Sequence, residues 1–229
     1  MRRLLTLTIG LAMSFASSAS INDGIAAYHS GNHAVALKEF SAAANQGNPV
    51  GKHLLASLYY QGHGVERDIA RAVALFKEAA DANYPPSLAN LALMYSVGDG
   101  VTKDQKVALN YGRRAAEAGD LQSQFNLGQA YRKGAGIPQD YEKAAFWYRK
   151  AAEAGLPQAQ NEYGLLFAQG HGVPLDYVRA FAWIDMPATA GDPQSVKNRA
   201  QLLTILDERQ QKQARQLADE YAKKYGQKR

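Results

Sequence analysis

The chain has 229 residues, of which 46% are hydrophobic and 21% charged, and it contains no cysteine. A core of ordinary size is therefore available, while disulfide scaffolds, thiolate metal sites and lipid attachment through an N-terminal cysteine are excluded. The formal charge of +5 is uneven: residues 21–196 carry 15 basic and 17 acidic side chains and residues 197–229 carry 9 and 4, which gives no ground for a nucleic-acid-binding body.

Arg2 and Arg3 precede an apolar run from Leu4 to Phe15, followed by the small residues Ala16 to Ser20. Residues 1–20 read as a secretory signal peptide with cleavage near Ala19 or Ser20, because the run is shorter than the roughly 18 to 20 residues that span a bilayer. The processed chain is expected to be soluble and periplasmic or secreted. Its basic count falls from 26 to 24 against 21 acids.

Residues 21–47 predict a shortened helical hairpin, from Ala26-Ala27-Tyr28 through Gly31 to Ala36 and Phe40. A ruler of 36 residues follows, marked by Gly62, Gly98, Gly134 and Gly170. Each glycine opens a loop that closes on an acid (Asp68, Asp104, Asp140, Asp176), and an aromatic precedes it (Tyr59, Tyr95, Tyr131, Phe167). Residues 48–83, 84–119, 120–155 and 156–191 are thus four tandem copies of one unit.

Within each unit the apolar and small residues recur at three- and four-residue spacing in two blocks, which predicts a pair of helices. Helix A starts at proline in three of the four units (Pro49, Pro85, Pro157; the third has Leu121) and stops at the loop glycine. Helix B starts after the aspartate, whose carboxylate caps the free amides, and ends near Asn83 in the first unit. Paired alanines such as Ala79-Ala80 allow close backbone approach. Neither helix buries its stripe alone, so the units must stack.

Two residues break their columns. Pro187 stands inside helix B of the fourth unit and is expected to bend or end it. Gly112 stands where Phe40, Phe76, Tyr148 and Ile184 occupy the other units, leaving either a gap or a close approach. Residues 192–229 read as C-terminal capping helices with a basic tail: a last helix A from Pro193 to Leu203, then a capping box of Asp207 and Gln210 opening a long helix with the stripe Ala214, Leu217, Tyr221 and Tyr225. The tail reads as a solvated helix end, with weak contact to acidic lipid headgroups as the second reading.

The pattern of Leu91, Ala92, Tyr95, Gly98, Gly100, Val101, Asp104 and Ala108, repeated in three other units, resembles the Sel-one-like repeats, a branch of the tetratricopeptide superfamily. The resemblance covers roughly residues 22 to 225. It implies an all-α fold, a right-handed α-solenoid of stacked antiparallel helix pairs, used as a non-enzymatic adaptor in multiprotein assemblies.

In the related tetratricopeptide arrays helix A lines the concave face. Carried onto this chain, the partner-facing positions are His53 and Tyr60 in the first unit, Ala89 and Leu93 in the second, Gln122, Phe125, Gln129 and Arg132 in the third, and Asn161 and Leu165 in the fourth. They fall on one helical face and suit an extended peptide or a partner helix. The plainer alternative is packing against neighbouring helices.

No catalytic, metal-binding or cofactor-binding residue is expected, and the protein is expected to be monomeric. His63 and His171 occupy equivalent loops three units apart and read as exposed; His29 and His33 are separated by the turn at Gly31, which keeps their rings apart. The Gly-x-Gly loops lack the strand and third glycine of a nucleotide fingerprint. Trp147 and Trp183 share one column and read as packing. A competing function, binding or processing of cell-wall fragments or β-lactams, comes from secreted members of the family linked to penicillin binding, but those carry a disulfide in each repeat and this chain has no cysteine. A third reading gives the adaptor a regulatory role at an envelope sensor or secretion system.

Overall fold

The computed structural model describes residues 20–226; residues 1–19, which hold most of the expected signal peptide, and residues 227–229 at the C-terminal end lie outside the described residues. Among the described residues there are twelve α-helices and no strand. They pair as α1 (Ile21–His29) with α2 (His33–Asn45), α3 (Pro49–Gln61) with α4 (Ile69–Asp81), α5 (Pro85–Val97) with α6 (Gln105–Glu117), α7 (Leu121–Lys133) with α8 (Tyr141–Glu153), and α9 (Pro157–Gln169) with α10 (Tyr177–Thr189). Helices α11 (Pro193–Ile205) and α12 (Glu208–Tyr225) close the stack against α10.

The loop signature explains the identical hairpins. Gly62, Gly98, Gly134 and Gly170 each take a left-handed conformation that returns the chain toward helix B. The aspartate that follows is held twice. Its amide donates to the aromatic carbonyl of helix A, as Asp104 does to Tyr95 at 2.9 Å and Asp176 to Phe167 at 3.0 Å. Its carboxylate accepts from first-turn amides of helix B, as Asp140 does from Lys143 at 2.9 Å. These acids are therefore structural caps.

Successive hairpins are joined by side chains reaching helix-end carbonyls. Gln124 and Gln160, both buried, donate to the carbonyls of Ala116 and Ala152, and Arg114 donates to Ala80 at 2.7 Å. Each of these carbonyls also accepts from a backbone amide three residues later, so the side chain uses the second lone pair.

Among the described residues the core consists of two clusters. One runs from Ala36 to Ala115, and the other from Phe125 to Ala218. At the C-terminal end the capping box is present, with Gln210 amide to Asp207 carboxylate at 2.8 Å. Tyr225 stacks on Trp183 at 5.1 Å between ring centres. Tyr225 thus packs the last turn of α12 on α10, while Lys223 and Lys224 of the same turn are exposed.

Pro187 does not end its helix. It is buried inside α10, which continues to Thr189. The proline lies in the final turn, two residues before the helix ends at Thr189, and its own carbonyl accepts from the Asp192 amide at 2.9 Å.

Candidate functional site

The helix-A faces of α3, α5 and α7 lie side by side, and two crevices run between them. The first, about 290 Å³, lies between α3 and α5 with Phe76 among its walls, and the second, about 430 Å³, lies between α5 and α7 with Gly112 among its walls. Leu93 and Asn90 line both. Leu93 is 63% exposed and Val97, one turn later, 61% exposed, the two most exposed large apolar residues among those described. Residues four apart share a helix face, so they form one apolar ridge beside the crevices.

The ten sequence-predicted positions divide. Leu93 is on this surface, Ala89 lines the second crevice and Tyr60 the first. Gln122 is exposed beside them, with its amide donating to Asn126 at 3.0 Å. Gln129 is half-buried and accepts from Lys133 at 3.2 Å. Of the remaining five, Phe125 and Asn161 are buried, while His53, Arg132 and Leu165 are half-buried and line neither crevice. Phe125 is 8% exposed and lies 5.6 Å from Tyr148, ring centre to ring centre. Leu165 packs on the C-terminal core.

The other three act between repeats. His53 Nδ1 shares a hydrogen bond of 2.9 Å with Ser87, and its ring also packs on Phe76 and Tyr84. Burial pushes its pKa down from 6.5 to about 4, so the imidazole is neutral near pH 7. Asn161, 7% exposed, accepts from Asn198 Nδ2 at 2.8 Å. Arg132 donates to the Tyr148 hydroxyl at 3.3 Å and faces Glu162 at 3.7 Å. Burial raises the Tyr148 phenol to about 12.

Tyr60 combines both roles, since its hydroxyl donates to Asp99 in the next loop while its ring remains at the crevice. That hydrogen bond, aided by burial and the Asp99 charge, raises the phenol above its ordinary range.

Val97 and Ser87 are the residues that sequence reasoning missed. Val97 is apolar in a column otherwise filled by Gln61, Lys133 and Gln169. Ser87 belongs to a buried column with Gly51, Ser123, Ala159 and Ser195, where recurrent serine at 36-residue spacing was the signal for contacts between repeats.

The loop histidines also differ from expectation. His63 and His171 are half-buried, and each stacks on a ring of the preceding unit: His63 on His33 at 4.7 Å, His171 on Tyr141 at 4.4 Å. No group of three metal-ligating side chains occurs among the described residues.

A family model of the Sel1 repeat matches residues 49–84, 85–120, 121–156 and 157–192. The chain belongs to the Sel1 repeat proteins. This Sel1 repeat protein is similar to one from Oxalobacter formigenes, with 35% identity and a TM-score of 0.72 over 74% of this chain and 50% of that one. It is also similar to c5321, a protective antigen present in uropathogenic Escherichia coli strains, at 26% identity and a TM-score of 0.46, over 90% of this chain and 60% of that one. The chain therefore spans half to three fifths of the length of these two relatives. No curated protein matches it. Sel1 repeat proteins generally mediate protein–protein interactions and are typically non-enzymatic scaffolds.

Proposed function

We propose that this Sel1 repeat protein is a non-enzymatic adaptor of the bacterial envelope that holds a segment of a partner protein across the helix-A faces of α3, α5 and α7. The observation that carries the reading is the exposed ridge of Leu93 and Val97, set beside two crevices. Apolar side chains of this size at over half exposure mark a surface meant to be covered, and crevices beside them offer pockets for side chains. The signal-like segment of residues 1–20 supports a periplasmic or secreted location.

The test is crosslinking in cells with the wild-type protein and the variant Leu93→Glu/Val97→Glu. Both exposed positions tolerate charge, so the variant should keep wild-type helicity. Specific protein crosslinks lost in the variant support the adaptor; identical crosslinks in both remove this surface from consideration. Fractionation with mass measurement of the N-terminus tests the location, and an unprocessed cytoplasmic protein would contradict it.

A further inference from the structure

The second crevice has a cause that can be read from the repeats themselves. In the other hairpins a small residue of helix A faces a large residue of helix B. A side-chain carbon added at Gly24 would come within 2.5 Å of Phe40, at Gly128 within 2.7 Å of Tyr148, and at Gly164 within 2.6 Å of Ile184. The corresponding pair in the hairpin of α5 and α6 is Ala92 and Gly112, and both are small. A carbon added at Gly112 would meet only the Ala92 Cβ, at 3.8 Å. The space that Phe76 or Tyr148 fills elsewhere is therefore open, and it lies between the two core clusters.

The walls also have a charge. Asp99 lines the first crevice and Asp120 the second, and neither lining includes a lysine, arginine or histidine. Asp120, which caps α7 by accepting from the Ser123 amide at 2.7 Å, shares the second crevice with Gly112, so a cation beside a residue seated there would complement its carboxylate.

We propose that the gap at Gly112 is an anchor site for one large aromatic side chain, carried beside a lysine or arginine on the partner segment. This rests on the adaptor reading above and assigns the chemistry of its occupant. The pocket is shaped by the repeat register for a ring in the position of Phe76 and Tyr148, and Asp120 in the same crevice selects the flanking charge.

Panning a phage-displayed library of random dodecapeptides on the processed protein tests this. The expected selection is peptides sharing an aromatic residue next to lysine or arginine, binding wild type and Gly112→Ala alike. Gly112→Phe should weaken them by about tenfold or more while raising the melting temperature, because its ring fills the gap from within. Gly112→Met, with a flexible side chain, serves if the phenylalanine variant does not fold. Peptides without a shared aromatic, or with equal affinity for wild type and the filled variants, overturn the proposal. Peptides lost on Leu93→Glu but kept on Gly112→Phe would remove the anchor and leave the adaptor reading standing. A dimer in sedimentation that dissociates in Gly112→Phe would assign the gap to a second copy and also overturn it.

Discussion

His53 Nδ1 lies 2.9 Å from Ser87 Oγ, a hydrogen bond that ties α3 to α5 across 34 residues of chain. Its imidazole has a folded-state pKa of about 4 because it is buried, against 6.5 in the unfolded chain. Between these values the unfolded state binds the proton and the folded state does not, so the stability supplied by the neutral ring is complete above pH 6.5 and is lost as pH falls toward 4. Wild type should lose about 3 kcal/mol more than His53→Gln over that interval. Thermal melts at pH 7, 5.5 and 4 check this; parallel pH profiles would contradict it.

The Asn161–Asn198 bond makes the same kind of link farther along. Asn161→Ala should cost about 1–3 kcal/mol, since it leaves the buried Asn198 amide without its acceptor. Hydrogen exchange should rise in α9 and α11 and stay unchanged in α1 to α4, because each unit of a stack contacts only its neighbours. A uniform rise along the chain would count against a local link.

Phe125 and Leu93 were alike as sequence candidates and should respond oppositely. Phe125→Ala is expected to destabilise by about 3–5 kcal/mol, as for other buried aromatics. Leu93→Ala should change stability by less than about 0.5 kcal/mol and affect partner capture instead. Urea titrations of the two variants decide between surface and core at each position.

Two loop glycines, Gly136 and Gly172, share a left-handed conformation but not their surroundings. A side-chain carbon at Gly136 would meet nothing within 4 Å, whereas one at Gly172 would collide with the Tyr141 carbonyl oxygen. Gly136→Ala should cost about 1 kcal/mol, the conformational penalty alone. Gly172→Ala should cost clearly more, because backbone must move. Equal melting temperatures for the two variants would show that the loop shifts freely.

Helix ends, caps and the repeat frame were determined by the sequence itself. Asp68, Asp104, Asp140 and Asp176 act through amides two or three residues away, and Gly62 and its equivalents through their own backbone, so neighbouring residues suffice to define each hairpin. Which face of helix A remains open was a matter for the tertiary structure. His53 and Asn161 occupy the same column as Ala89 and Phe125, yet their exposure depends on what the next helix, 34 to 37 residues later, places against them. Gly112 marks the boundary between these two kinds of information. Its departure from an aromatic column was visible in the chain, but either collapse or a gap was compatible with it. The gap persists because the caps and the Asp104–Tyr95 loop bond hold α5 and α6 at the spacing of the other hairpins, so removing one side chain empties a space without drawing the helices together.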